Sequence, residues 1–529
     1  RGMRAFSSLL EALIFSPRRS VKQAHLVSWF KQTPVLDRGW GLAALTGDLS
    51  FPHVKAGVVR QLATQVTDPE LFALSYDFVG DLAETVALLW PQTEQANTDI
   101  PPLADIVEGL MATKRGDAVT LLSGWMDIMT TSERWALLKL ATGGMRVGVS
   151  ARMVRLALSA AYKVDVAEIE EIWPLLSPPY DELFGWLEGV APRPQSEGRA
   201  VFRPLMLAHP LEDEISSLQL DDWQIEWKWD GARVLLASAD DGVRLFSRTG
   251  DDISAAFPDL TRSMTWQGVL DGELLAGAPD NLASFNMLQQ RLNRKTASAK
   301  LQAETPVFLR IYDMLFDGTH DMREQPLHMR RRQLEQRLPD IDHPFCDLSP
   351  ALSVLTHQQL DGMREQCRSG GLIEGMMLKR NDSLYRAGRI KGEWFKWKRD
   401  PLTADLVVLY AQRGHGKRSS YYSDYTFGAW REGEDGMELV PVGKAYSGFS
   451  DQELVKLDKF VRENTAKKFG PVREVDPHLV VEVAFDSIHT SSRHKSGVAM
   501  RFPRFHAIRW DKHSDEADTV AMLQTMIEG

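Results

Sequence analysis

Cysteine is almost missing from this chain: Cys346 and Cys367 are the only two in 529 residues. Two thiols cannot complete a four-cysteine zinc site, and nothing suggests a disulfide scaffold, so a reduced compartment is expected. Long apolar runs are missing as well. No stretch approaches the roughly eighteen residues that a membrane-spanning helix requires. The opening residues lack the charged-then-apolar pattern of a secretory signal, which with the thiols points to a cytoplasmic protein without a membrane partner. Positive charge is not in excess either: 62 Lys and Arg against 72 Asp and Glu give a net charge of −10. That sign by itself disfavours a nucleic-acid partner, yet phosphate binding depends on where cations gather. They gather twice, in the run from Arg380 to Arg399 and in the run from Arg493 to Lys512.

What is present is a folded chain, 43% hydrophobic and 25% charged, long enough for about three domains. The first 190 residues read as helical. Val154, Leu158 and Ala161 recur at helical spacing behind Ser150, an N-cap residue type, and Leu137, Leu138 and Ala141 run into the helix stop Gly143-Gly144. Residues 190–196, rich in proline and polar side chains, read as a linker. Short β-like runs follow at 224–229, 243–247, 269–275 and 307–315, interrupted by a helix at 329–337. Near Pro401 a third region begins, with strands expected at 406–411, 425–430 and 479–485 and a closing helix after Ser514. The expected domains are 1–190, 197–400 and 401–529.

The most informative stretch is Glu226-Trp227-Lys228-Trp229-Asp230-Gly231-Ala232-Arg233. On a strand, side chains alternate, so Glu226, Lys228 and Asp230 share one face while Trp227 and Trp229 pack behind it. Three charges backed by two indoles describe the wall of a polar cleft, and Gly231 lets the chain turn beyond it. A lysine nucleophile must first lose a proton, which costs an ordinary lysine roughly 4–5 kcal/mol at neutral pH. An isolated Lys-x-Asp is most often an exposed lysine beside a salt-bridged aspartate; the motifs around it separate the two readings.

Lys228-x-Asp230-Gly231-x-Arg233 resembles motif I of the covalent nucleotidyltransferases, the superfamily of DNA ligases, RNA ligases and mRNA capping enzymes. The other motifs follow in order. Phe246-Ser247-Arg248-Thr249-Gly250 resembles the ligase segment whose arginine reaches the nucleotide and the DNA 5′-phosphate. Leu270-Asp271-Gly272-Glu273-Leu274 resembles motif III, Ile311-Tyr312-Asp313-Met314-Leu315 motif IIIa, and Glu374-Gly375-Met376-Met377-Leu378-Lys379 motif IV. Trp394-Phe395-Lys396-Trp397-Lys398 resembles motif V, and Arg501-Phe502-Pro503-Arg504-Phe505 through Lys512 resembles motif VI of DNA ligases. A weaker resemblance links residues 142–149, with Arg146, to the DNA-binding domain of larger cellular ligases. Tryptophans at 227 and 229 and the Tyr-Asp form of motif IIIa depart from the commoner residues but keep an aromatic or apolar surface.

The resemblance implies an all-α N-terminal DNA-binding domain, an α+β adenylation domain and a C-terminal OB-fold barrel. It implies an ATP-dependent DNA ligase with Lys228 as the nucleophile. It assigns Glu226, Arg233, Arg248, Glu273, Tyr312, Met377, Lys396, Lys398, Arg509 and Lys512 to the nucleotide, and Glu273 and Glu374 to Mg2+, for which Mn2+ substitutes. It assigns Arg146, Arg248, Arg501 and Arg504 to DNA. The expected partner is nicked duplex DNA, encircled by a monomer that hinges near residues 399–401. Motif VI in its Arg-Phe-Pro-Arg-Phe form favours a DNA ligase over an RNA ligase or capping enzyme, and the missing cysteine cluster speaks against an NAD-dependent ligase. Intact Lys228, Glu273, Glu374 and Lys398 speak against a dead ligase fold kept for binding. The resemblance also points to a bacterial repair enzyme.

Overall fold

The computed structural model describes residues 2–92, 99–143, 145, 147–354, 356–367, 372–414 and 420–527. Helices run from Gly2–Phe15 to Asp181–Leu187 and share one core containing Phe6, Leu10, Phe30, Leu138 and Leu158. The helix Ala151–Tyr162 starts where Ser150 Oγ accepts from the Met153 N–H at 3.2 Å, and it buries Val154, Ala157, Leu158 and Ala161. The helix Thr131–Thr142 ends at Gly143, which takes φ 73°, a conformation that only glycine adopts without cost. Arg146 and the second glycine, Gly144, lie outside the described residues. No helix among the described residues is long and apolar enough to cross a membrane.

Two sheets then form the walls of a cleft. The first is four-stranded, in the order His209–Pro210, Trp394–Lys398, Ile373–Arg380, Trp223–Trp229. The central path of the second runs Cys346–Leu348, Val307–Asp317, Gly268–Ala278, Ala232–Ala239, Gly242–Ser247. The lysine strand, Trp223–Trp229, leaves the first sheet and enters the second as Ala232–Ala239 through Asp230 and Gly231. A Cβ at Gly231 would lie 2.3 Å from the Leu274 carbonyl oxygen, so this crossing admits no side chain. The expected helix at 329–337 is the centre of Leu327–Ile341.

From Leu402 the chain is β-rich. The strand Leu402–Arg413 pairs with Tyr422–Gly433 along one edge and with Val472–Val475 and Val480–Phe485 along the other. The helix expected after Ser514 is divided into a 3-10 turn, Ser514–Glu516, and a short α-helix, Val520–Thr525. Backbone bonds from Asp518 N to Asp405 and from Trp430 N to Asp518 hold the chain extended between them.

Ion pairs join the three regions. Glu171 of the helical region binds Arg323, at 2.8 Å, and Arg203. Arg473 of the β-rich region reaches Asp77 of the helical region at 2.5 Å. Arg501 of the β-rich region enters the cleft.

Candidate active site

Strand register builds the floor of the site. Lys228 and Lys398 both lie opposite Gly375, Glu226 and Lys396 both lie opposite Met377, and Gln224 and Trp394 both lie opposite Lys379. Because residues two apart share a face, these three rows face the same way. Lys228 and Lys398 flank a glycine, which leaves a gap between two cations. A Cβ at Gly375 would meet the Trp397 carbonyl oxygen at 2.6 Å and the Lys398 Cα at 2.9 Å. Trp229, on the opposite face, packs with Leu275 and Phe308, its indole N–H bonded to Ser349 Oγ at 3.0 Å.

Alternation alone would send Glu374 away from Lys228. The register shifts between Ile373 and Gly375, and this bulge turns the carboxylate back into the cleft. Lys228 Nζ donates to Glu374 Oε2 at 2.5 Å, with Lys398 Nζ at 3.6 Å from the same oxygen. A second bulge, at the pairing of Asp271 and Gly272 with Asp313 and Ile311, isolates Tyr312 on the facing sheet. Its hydroxyl donates to Glu273 Oε2 at 3.3 Å.

Arg501 closes the arrangement from the β-rich region. Its guanidinium makes two bonds to Asp230, at 2.6 and 2.9 Å, and lies 3.7 Å from Glu374. Burial pushes the Asp230 carboxyl up, and neighbouring Glu374 adds to that against the pull of Arg501. Burial acts to raise Glu374 too, but the charge of Lys228, a bond from Asp230 and the charge of Lys398 outweigh it and hold Glu374 well below the usual carboxylate range. Glu273 has no such surplus of cations. Burial pushes its carboxyl up to about 8, against the pull of Lys228 and Arg233. Burial also depresses the Lys396 ammonium, and the charges of Lys228, Lys398, Arg389 and Arg248 depress it further. Such crowding of cations suits a phosphate chain.

Behind the cleft, Arg233 binds Asp271 through two bonds, at 3.1 and 2.7 Å, and the Tyr385 hydroxyl donates to the same carboxylate at 2.7 Å. Arg233 therefore braces the wall that carries Glu273 and Tyr312. The structure thus brings together Lys228, Glu226, Glu273, Tyr312, Glu374, Met377, Lys396, Lys398 and Arg501. Arg248 is exposed on the turn after Gly242–Ser247, on the side of the cleft where it acts on Lys396. Arg504 pairs with Asp486 at 3.1 Å. Arg509 and Lys512 are not drawn into this cluster: Arg509 binds Asp511 and Lys512 binds Asp405, both within the β-rich region. Among the described residues no three Asp, Glu, His or Cys side chains form a group that could hold a metal ion.

Sequence reasoning passed over Asp271, Tyr385 and Lys379. Asp271 and Lys379 stand inside quoted motifs, a signal that could have found them; Tyr385 stands in none. Beside Glu374, Lys398 and Arg501 a cleft of about 780 Å3 opens toward Phe285 and Asp486.

The chain is similar to known proteins over most of its length. Residues 205–398 match the ATP dependent DNA ligase domain family, and residues 418–512 match the ATP dependent DNA ligase C terminal region. A probable DNA ligase of Koribacter versatilis is 35% identical over 418 residues, covering 74% of this chain and 71% of that protein. DNA ligase 1 of Korarchaeum cryptofilum is 32% identical over 408 residues, covering 75% and 72%. The solved structure of Pmar-Lig_Pre shares the fold across 96% of this chain and 99% of its own, with a TM-score of 0.60 at 16% identity. Two matched family regions, the identity to these relatives and the motifs gathered in one cleft agree: the chain belongs to the ATP-dependent DNA ligases.

Proposed function

We propose that this ligase seals nicks bearing a 3′-hydroxyl and a 5′-phosphate in duplex DNA, carrying AMP on Lys228 between ATP and DNA. One observation carries this reading: Lys228 stands in a cleft with Lys398 across a side-chain-free gap and Arg501 brought in from the C-terminal region.

The cycle has three displacements. The neutral Lys228 amine attacks the α-phosphorus of ATP, forming an N–P bond as the bond to pyrophosphate breaks. An oxygen of the DNA 5′-phosphate then attacks the same phosphorus and Lys228 leaves, reprotonated. The 3′-hydroxyl finally attacks the adenylated 5′-phosphate, forming the phosphodiester and releasing AMP. The bond from Lys228 Nζ to Glu374 Oε2 positions the nitrogen, and the proton it gives up before attack passes to solvent. Lys396, Lys398 and Arg501 stabilise the phosphate charge that builds up, which in phosphoryl chemistry supplies most of the rate.

Tyr312 and Met377, half-buried on facing sheets, are suited to hold the base between them. Glu226 is suited to select adenine. Lys379 Nζ lies 2.9 Å from its Oε2, and the remaining lone pairs of the carboxylate can accept an exocyclic amine. Such an acceptor favours ATP over GTP, and so a ligase over a capping enzyme. A divalent cation fits the donor set, because Glu273 and Glu374 are hard oxygen donors and Glu273 is short of positive partners. Mg2+, or Mn2+ in its place, would supply charge neutralisation for the phosphates when bound there.

We read the C-terminal sheet as an OB-fold: bulges in Leu402–Arg413, Tyr422–Gly433 and Val480–Phe485 supply the curl a small barrel needs. The boundaries 1–190, 197–400 and 401–529 follow the same reading, with the helical region binding backbone phosphates and a monomer closing around DNA in a bacterial cytoplasm. Incubation with Mg2+ and ATP labelled at the α- or the γ-phosphate tests the central step. Stable label should reach the protein from the α position alone and should vanish in Lys228→Ala. Strand joining by that variant would sink the proposal.

A further inference from the structure

Lys379 is a charge with almost no access to water. It is 2% exposed and shares its face with Met377, one row beyond the Glu226 row. An ammonium taken out of water costs several kcal/mol unless other groups compensate it. Here three do: Glu226 Oε2 at 2.9 Å, the ring of Tyr312 with its centroid at 4.4 Å, and the ring of Trp394 at 4.3 Å. Glu226 is 1% exposed, and Lys379 is the cation with which the structure pairs it. A carboxylate of one sheet and an aromatic ring of the facing sheet therefore meet on one ammonium.

We propose that Lys379 is the positioning residue for purine selection: its buried ammonium holds the Glu226 carboxylate in one orientation, so that the pocket accepts the exocyclic amine of adenine and rejects guanine. The inference rests on the adenine contact assigned to Glu226 above. Guanine carries a carbonyl oxygen at the ring position where adenine carries its amine, and two acceptors cannot bond each other. Without the ammonium the carboxylate loses the ion pair that fixes its orientation, and with it the geometry that separates the two purines. The contact with Tyr312 fixes the ring as well, so loss of Lys379 also loosens ATP binding.

The test measures transfer of AMP or GMP to Lys228 by intact mass, with ATP or GTP and Mg2+ in the full-length enzyme. Lys379→Met should lower the ATP-over-GTP ratio of kcat/KM by at least about tenfold, chiefly through a raised KM for ATP and a new GMP adduct. Lys379→Arg, which keeps the charge, should retain most of the discrimination. Glu226→Gln should lower the ratio alike, and adding Lys379→Met to it should change the ratio by less than about twofold, because the two residues act as one unit. If Lys379→Met does not fold, Lys379→Gln is read in the same way. A folded, charge-free variant at 379 with an unchanged ratio overturns the inference. If the ratio falls in Glu226→Gln but not at 379, the role of Lys379 alone is lost. If Glu226→Gln itself keeps the ratio, the adenine contact of Glu226 is lost with it.

Discussion

Glu273 shows how one residue couples the site to stability. Its folded carboxyl titrates near 8, raised chiefly by burial, whereas in an unfolded chain it titrates near the ordinary 4.5. Between those values the folded enzyme binds the proton more tightly than the unfolded chain, so this group's contribution to stability is full below about 4.5 and is lost as pH rises through about 8. Glu273→Gln cannot ionise. It should melt near the parent at acid pH and above it at pH 9, a gap that grows through this window in ligand-free thermal melts. Asp271 poses the opposite case. It is fully buried and holds both Arg233 and Tyr385. Asp271→Ala leaves the guanidinium of Arg233 without its charged partner, which should cost about 3–5 kcal/mol in urea unfolding. An unchanged midpoint would show that the pair does not brace the wall.

At the scale of elements, two bulges decide what the cleft contains. The motifs marked Glu374 and Tyr312 by residue type, and the register explains how both reach the same space: each stands at an irregularity in an otherwise alternating strand. Strand periodicity in the sequence located Trp223–Trp229, Gly268–Ala278 and Val307–Asp317 to within a few residues, since apolar alternation is a local property. A bulge is set by the partner strand, so no local pattern announces it. Gly375 is the position where that constraint is tightest. Gly375→Ala forces a Cβ against backbone of the neighbouring strand, and such overpacking costs about 1–3 kcal/mol. Adenylation by this variant should fall more steeply than its melting temperature, because the Lys228–Lys398 gap must widen to admit the methyl group.

For the molecule as a whole, Arg501 couples the C-terminal region to chemistry. On the cycle proposed above, the contact with Asp230 and Glu374 occupies the cleft that DNA would later enter, so the region would approach for the first step and withdraw for the last. We propose that the connection at residues 399–401, between the strands Trp394–Lys398 and Leu402–Arg413, absorbs this motion. Arg501→Ala should slow formation of the lysyl adenylate at least about tenfold, as loss of a phosphate-stabilising donor does. Sealing of a chemically pre-adenylated nick by the same variant should change far less. Equal loss in both assays would place Arg501 on DNA instead, the role that its basic motif suggests in sequence. Sealing by the parent enzyme should also weaken steeply with salt, because a chain of net charge −10 binds DNA through local clusters of cations that replace counterions.

The sequence by itself marked the candidates: a lysine for the nucleophile, carboxylates and cations for its neighbourhood, and the order in which their motifs come. Strand spacing puts Glu226, Lys228 and Asp230 on one face, and the family resemblance supplies the other candidates and their order. Tertiary structure alone decided which cations share the cleft. Arg501 lies in it while Arg509 and Lys512 pair within their own region, and buried Lys379 joins Glu226 to Tyr312. The reason is physical: a charge is placed by whichever opposite charge or ring lies within a few ångströms when separate strands and regions meet, and those distances span more than a hundred residues of chain.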